Sequence, residues 1–113
     1  MNYNNILLEQ RIKETTQLLK KYPHKIPVYI DIPKNDIILE KRKYLVDNNI
    51  SLMNLQVLLK KSINISSTEG VYMLINKQLM TGTTEIGTIY KNNKNEDGML
   101  YIQLLKENTF GFI

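Results

Sequence analysis

The chain is 113 residues long and 42% hydrophobic, enough for one ordinary domain to bury a core without covalent staples. It has no cysteine, which excludes disulfides, thiolate nucleophiles and cysteine-based zinc sites and points to a reducing compartment. The net charge of +4 is uneven: residues 1–61 carry 11 Lys/Arg against 6 Asp/Glu, residues 62–113 carry 4 against 5, an excess that suits acidic peptides, anionic lipid or nucleic acid, and equally an ordinary solvated surface.

Met1-Asn2-Tyr3-Asn4-Asn5 offers no basic leader, and no run of about 18 apolar residues occurs, so neither a signal peptide nor a membrane span is expected and the cytoplasm is the expected location. From Ile6 to Tyr22, Leu8, Ile12, Thr15, Leu19 and Tyr22 recur at helical spacing, predicting an amphipathic helix that Pro23 stops. Ile26, Val28, Ile30 and Ile32 then alternate with Lys25, Pro27, Tyr29 and Asp31, the period of a strand with two distinct faces. Pro33 to Lys41 is polar and turn-prone. Lys43-Tyr44-Leu45-Val46 predicts a second strand, with Lys43 and Leu45 on one face and Tyr44 and Val46 on the other, completing a hairpin.

Ser51 can cap a helix whose apolar face is Leu52, Leu55, Leu58, Leu59 and Ile63, ending by Ser66-Ser67. Val71 to Ile75 reads as a buried strand, Asn76-Lys77-Gln78 as a turn, and Met99 to Leu105 as a last strand launched from Asn95-Glu96-Asp97-Gly98. Thr81 to Asn93 is left open between a short helix and a loop. The order predicts an α+β domain, a four-stranded mixed sheet crossed by a helix in the β-grasp arrangement from Lys25 onward, with an N-terminal helical extension.

Catalytic machinery is missing from this inventory. His24 is the single histidine, and acid–base or nucleophilic catalysis needs a partner within reach. Glu96-Asp97 is the one adjacent acidic pair; it lacks the alternating carboxylates of a calcium loop and reads as turn chemistry. The five glycines are dispersed without a phosphate-cradling lysine. No catalytic residue, metal or cofactor is therefore expected, and surface recognition is left.

Five segments, in order, carry a resemblance: Arg11 with Lys21-Tyr22-Pro23 before Lys25-Ile26-Pro27-Val28; Lys41-Arg42-Lys43-Tyr44-Leu45-Val46; Ile89-Tyr90; Asp97-Gly98-Met99-Leu100-Tyr101; and the tail Glu107-Asn108-Thr109-Phe110-Gly111. Together they resemble the autophagy-related ubiquitin-like modifiers, the autophagy-related protein eight family that includes the GABA-receptor-associated protein and microtubule-associated light chain three. The resemblance implies a helical extension over residues 1–24, a ubiquitin-like β-grasp domain over 25–107 and a flexible tail over 108–113. It also implies cleavage after Gly111 by a cysteine protease, activation by E1-like and E2-like enzymes, and conjugation to phosphatidylethanolamine on an autophagosomal or other organelle membrane. Glycine suits that position because a residue without Cβ threads a narrow active-site channel.

The family docks an aromatic-x-x-aliphatic motif, found in cargo receptors and adaptors, as an added strand. Side chains three apart on a strand point to opposite sides, so one pocket is needed on each side of the receiving strand. By resemblance, the aromatic pocket falls to Glu14, Leu18, Pro27, Tyr29, Lys43, Leu45 and Met99. The aliphatic pocket falls to Tyr44, Val46, Ile50, Leu55 and Leu58, and Lys25, Lys41 and Lys43 attract acidic flanks. Met99 stands where the family usually has phenylalanine, Asp47 where proline is common, and Ser62 where a basic residue is usual. The alternative is an unlipidated soluble peptide-binding adaptor of the same fold; a nucleic-acid partner is not expected.

Overall fold

A computed structural model describes residues 6–66 and 68–107. In chain order the elements are α1 (Leu8–Lys21), β1 (Lys25–Asp31), β2 (Lys43–Asp47), α2 (Leu52–Lys60), β3 (Val71–Ile75), β4 (Gln78–Leu79), α3 (Ile86–Asn93) and β5 (Leu100–Lys106). They form one five-stranded sheet in the order β2-β1-β5-β3-β4. The central β1–β5 pair is parallel; the other pairs are antiparallel.

The expected α+β arrangement is present, with five strands in place of four. The extra strand is β4, two residues long and exposed. Asn76 and Lys77 both have positive φ, 52° and 65°, the backbone of a tight two-residue hairpin turn that returns the chain onto β3. Gln78, expected in the turn, instead pairs with Ile75. A two-residue edge strand is too short to show an alternation, so the sequence pattern could not announce it.

The open segment contains α3. Its first half, up to the start of α3, is tied by backbone bonds to the stretch before and into α2: Leu52 N–H donates to Thr84 O at 3.0 Å, Met53 N–H to Gly82 O at 2.9 Å, Ile86 N–H to Ile50 O at 2.8 Å and Gly87 N–H to Asn48 O at 2.7 Å. A Cβ on Gly87 would sit 2.8 Å from that Asn48 oxygen, so the close approach requires glycine. The helix α2 stops at Lys60, short of the predicted Ser66, and Ile63 reaches the core from beyond it. Ser51 caps α2 as expected, its hydroxyl accepting from Asn54 N–H at 3.1 Å.

The burial pattern of β1 is nearly continuous because both faces of the sheet are covered. Ile26, Val28 and Ile30 join the main core with Leu52 and Leu55 of α2, Ile86 of α3 and the alternate residues of β5. On the opposite face Tyr29 and Met99 form a small separate cluster with Ile6 and Tyr101, under α1. The helix α1 does not bury the apolar face that the spacing predicts. Thr15 is its one buried residue, while Ile12 and Tyr22 are exposed, since the helix approaches the sheet along the side that carries Arg11 and Thr15.

Candidate peptide-docking groove

Strand β2 is the outer strand of its side of the sheet, and its register with β1 fixes what it presents. Ile30 N–H donates to Arg42 O at 2.8 Å and Asn48 N–H to His24 O at 3.1 Å. By antiparallel alternation, the even-numbered residues of β2 bond to β1, and the backbone groups of Lys43 and Leu45 point outward. Outward-pointing backbone groups on an outer strand are the geometry by which a strand is added to a sheet. Pro27 fits for the same reason: its absent N–H faces β5, whose ladder with β1 begins at Val28.

Pro27 pairs with Leu45 and Tyr29 with Lys43, so these four share the α1 face. Met99 and Tyr29 are buried there, and the Tyr29 ring leans on Tyr101 with centroids 5.6 Å apart and planes inclined by 51°. Pro27 is fully buried. The aromatic-pocket set thus separates into a closed floor of Pro27, Tyr29 and Met99 and a more open wall of Leu45, Lys43, Glu14 and Leu18. Lys43 Nζ lies 3.6 Å from Glu14 Oε2, across the space between β2 and α1.

Tyr44 and Val46 lie on the other face and pack, with Ile50, against the main core. Leu55 is 2% exposed and Leu58 52%, so of the two residues expected in the aliphatic pocket Leu55 belongs to the core and Leu58 is open to solvent. The Tyr44 hydroxyl donates to Lys41 O at 2.8 Å, and Lys41 Nζ stands 5.0 Å from the Tyr44 ring centroid. Burial raises the Tyr44 phenol above its ordinary pKa, with Arg42 opposing, so it stays a donor at neutral pH.

The basic rim is partly neutralised. Lys25 Nζ bonds Asp47 Oδ1 at 2.7 Å, so Asp47 occupies the cation expected to meet an acidic flank. Both side chains are exposed, and such a pair is exchangeable, worth ~0–1 kcal/mol.

Sequence reasoning counts Asp97 among the residues of the resemblance but gives it no role beyond turn chemistry. Its Oδ1 does accept from Met99 N–H at 2.9 Å, as a turn aspartate would. But its side chain is 1% exposed, and Oδ2 accepts from Arg11 Nη1 at 3.0 Å, Arg11 being 17% exposed. Oδ2 also accepts the Tyr101 hydroxyl. Burial, then this hydrogen bond, pushes the Tyr101 phenol well above its ordinary pKa. The partners Arg11 and Asp97 are 86 positions apart, and no local pattern signals such a pairing.

Among the described residues no group of three or more His, Asp or Glu is placed to hold a metal ion, and no helix is long and apolar enough to cross a membrane. Gly111, with the whole tail from 108 to 113, lies outside the described residues.

Residues 10–111 match the family model described as autophagy protein Atg8, ubiquitin-like. The chain is 35% identical over 107 residues to autophagy-related protein 8 of Schizosaccharomyces pombe, covering 93% of this chain and 88% of that protein. It is 31% identical over 108 residues to autophagy-related protein 8c of Arabidopsis thaliana, covering 94% and 91%. The crystal structure of ATG8 from Trypanosoma brucei superimposes with a TM-score of 0.86 at 20% identity over 93% of this chain and 92% of that one, a likeness of fold.

Proposed function

The chain belongs to the Atg8 family of ubiquitin-like autophagy proteins, and from that premise we propose that it is a conjugated adaptor that recruits partners along β2. Partners bearing an aromatic-x-x-aliphatic motif add as a strand to the outward backbone of Lys43 and Leu45. The aromatic side chain enters between β2 and α1, and the aliphatic one between β2 and α2. The observation that carries this reading is the division of β2: one outward edge, with Leu45 and Lys43 on one side of the strand and Tyr44 and Val46 on the other.

Cleavage after Gly111 by a cysteine protease, transfer through E1-like and E2-like enzymes and attachment to phosphatidylethanolamine complete the proposal. A two-chain lipid makes membrane residence stable, since each buried methylene contributes ~0.8 kcal/mol. The protein then divides between cytoplasm and an autophagosomal or other organelle membrane.

Two measurements test this. Substituting Tyr44 and Leu45 together by alanine is expected to abolish calorimetric binding of a motif peptide while leaving the circular dichroism spectrum unchanged; undiminished affinity sinks the groove. Intact mass of the membrane pool is expected to show a chain ending at Gly111 and heavier by one phosphatidylethanolamine. A chain ending at Ile113 in every pool leaves the unconjugated adaptor.

A further inference from the structure

We propose that Arg11 and Asp97, neither of which lines the groove, are positioning residues that set the wall of the aromatic pocket by fixing where α1 rests, so that the motif's aromatic side chain alone is read through this pair. The proposal rests on the docking reading above and deepens it.

Among the described residues, α1 buries little of itself against the sheet. A helix normally docks through an apolar stripe, yet Thr15 is the one buried residue of α1, while Leu7 just before it and Ile12 within it are exposed. Thr15 approaches closely because residue 98 is glycine: a Cβ there would lie 2.8 Å from Thr15 Cγ2. The Glu14–Lys43 ion pair also joins α1 to the sheet, but at 3.6 Å with both side chains exposed, and it spans the space an entering aromatic side chain would occupy. The contact of α1 with the sheet that combines good geometry with burial is Arg11 on Asp97.

Asp97 also bridges wall and floor. One carboxylate oxygen takes the backbone N–H of Met99, a floor residue. The other takes Arg11 and the hydroxyl of Tyr101, whose ring supports Tyr29, another floor residue. Arg11 donates to Tyr101 as well, at 3.2 Å. Glu14 and Leu18 stand one and two turns beyond Arg11 on the same helix, so a shift of Arg11 is transmitted to both by a rigid element. The aliphatic pocket lies on the other face, built by β2 and α2 against the main core. The pair should therefore act on one half of the motif and leave the other half alone.

The test uses the whole chain and three synthetic peptides: Asp-Asp-Trp-Ser-Ser-Leu, the same peptide with leucine replacing tryptophan, and the same peptide with alanine replacing the final leucine. In Arg11→Met, affinity for the first peptide is expected to fall about tenfold, equivalent to ~1.4 kcal/mol. The penalty for trimming the tryptophan is expected to shrink by a similar factor, while the penalty for trimming the leucine stays constant. Arg11→Lys, which keeps the charge but not the fork of donors, should recover part of the loss and carries the same comparison if Arg11→Met does not fold. Unchanged affinity, or both penalties shrinking together, overturns the positioning role. Failure of the unsubstituted protein to bind any of the three peptides overturns the docking reading instead, a distinguishable result.

Discussion

On one face of the sheet Val28, Ile30, Leu100, Ile102 and Leu104 bury aliphatic side chains beneath α2 and α3; on the other, α1 covers a small cluster around Tyr29 and Met99 and is tied through a buried ion pair. Dispersion and hydrophobic burial tolerate small errors, because each contact is weak and many are summed. An ion pair with one partner out of water demands its geometry, because a carboxylate left buried alone is heavily penalised. The first face supplies the stability of the domain. The second supplies a helix position, which is what a pocket wall needs.

The most severe way to break the contrast is from the aliphatic side. Ile102→Ala, at a position fully out of solvent, is expected to cost ~2–5 kcal/mol of global stability, seen as a lower denaturant midpoint with every element losing protection together. A loss below about 1 kcal/mol would mean this face is not the anchor.

Gly98→Ala sharpens the contrast. Gly98 has φ of +83°, and its new Cβ would press on Thr15 at 2.8 Å; left-handed backbone alone costs ~1–2 kcal/mol for a side-chain-bearing residue. Hydrogen exchange is expected to speed up in α1 and at the Asn95–Met99 turn, with α2 unaffected. Equal acceleration in both helices would show that the two faces are not separable.

At the edge of the groove the effect should be small. Asp47→Asn removes the exposed partner of Lys25 and is expected to move stability by no more than ~0.5 kcal/mol. It should nevertheless tighten binding of an acidic-flanked peptide in low salt, an advantage lost as salt rises. A tightening that ignores salt would argue against charge as its origin.

The two faces of the strands are largely legible in the sequence and the seating of α1 is not. The alternation through β1 and β2 placed Tyr29, Lys43 and Leu45 apart from Val28, Tyr44 and Val46, as their pairings have it, and Ser51 announced the start of α2. Period works when burial on one side is what orders a segment. It failed at Ile12, apolar and correctly spaced but exposed, because polar groups of Arg11 and Thr15 decide which side of α1 meets the sheet. It leaves Thr81 to Asn93 open, because residues 82–87 are ordered by backbone bonds to residues 48–53 that, Gly87 apart, need no particular side chains. Asp97 looked like a turn residue and is one; its second role depends on a partner at the far end of the chain.

The parallel ladder between β1 and β5 has a consequence for the newly made chain. Val28 pairs with Leu100 and Ile30 with Ile102, residues roughly 70 positions apart, and closing so long a loop must precede any reward from the contact. During synthesis, β1 emerges well before β5, the neighbour its parallel ladder needs. Ile26-Pro27-Val28-Tyr29-Ile30 is apolar and uncharged, the composition that invites wrong strand pairing, and Pro27 within it interrupts that hazard. The proline that is buried in the finished protein, at the floor of the proposed pocket, thus also guards the chain before the fold can close.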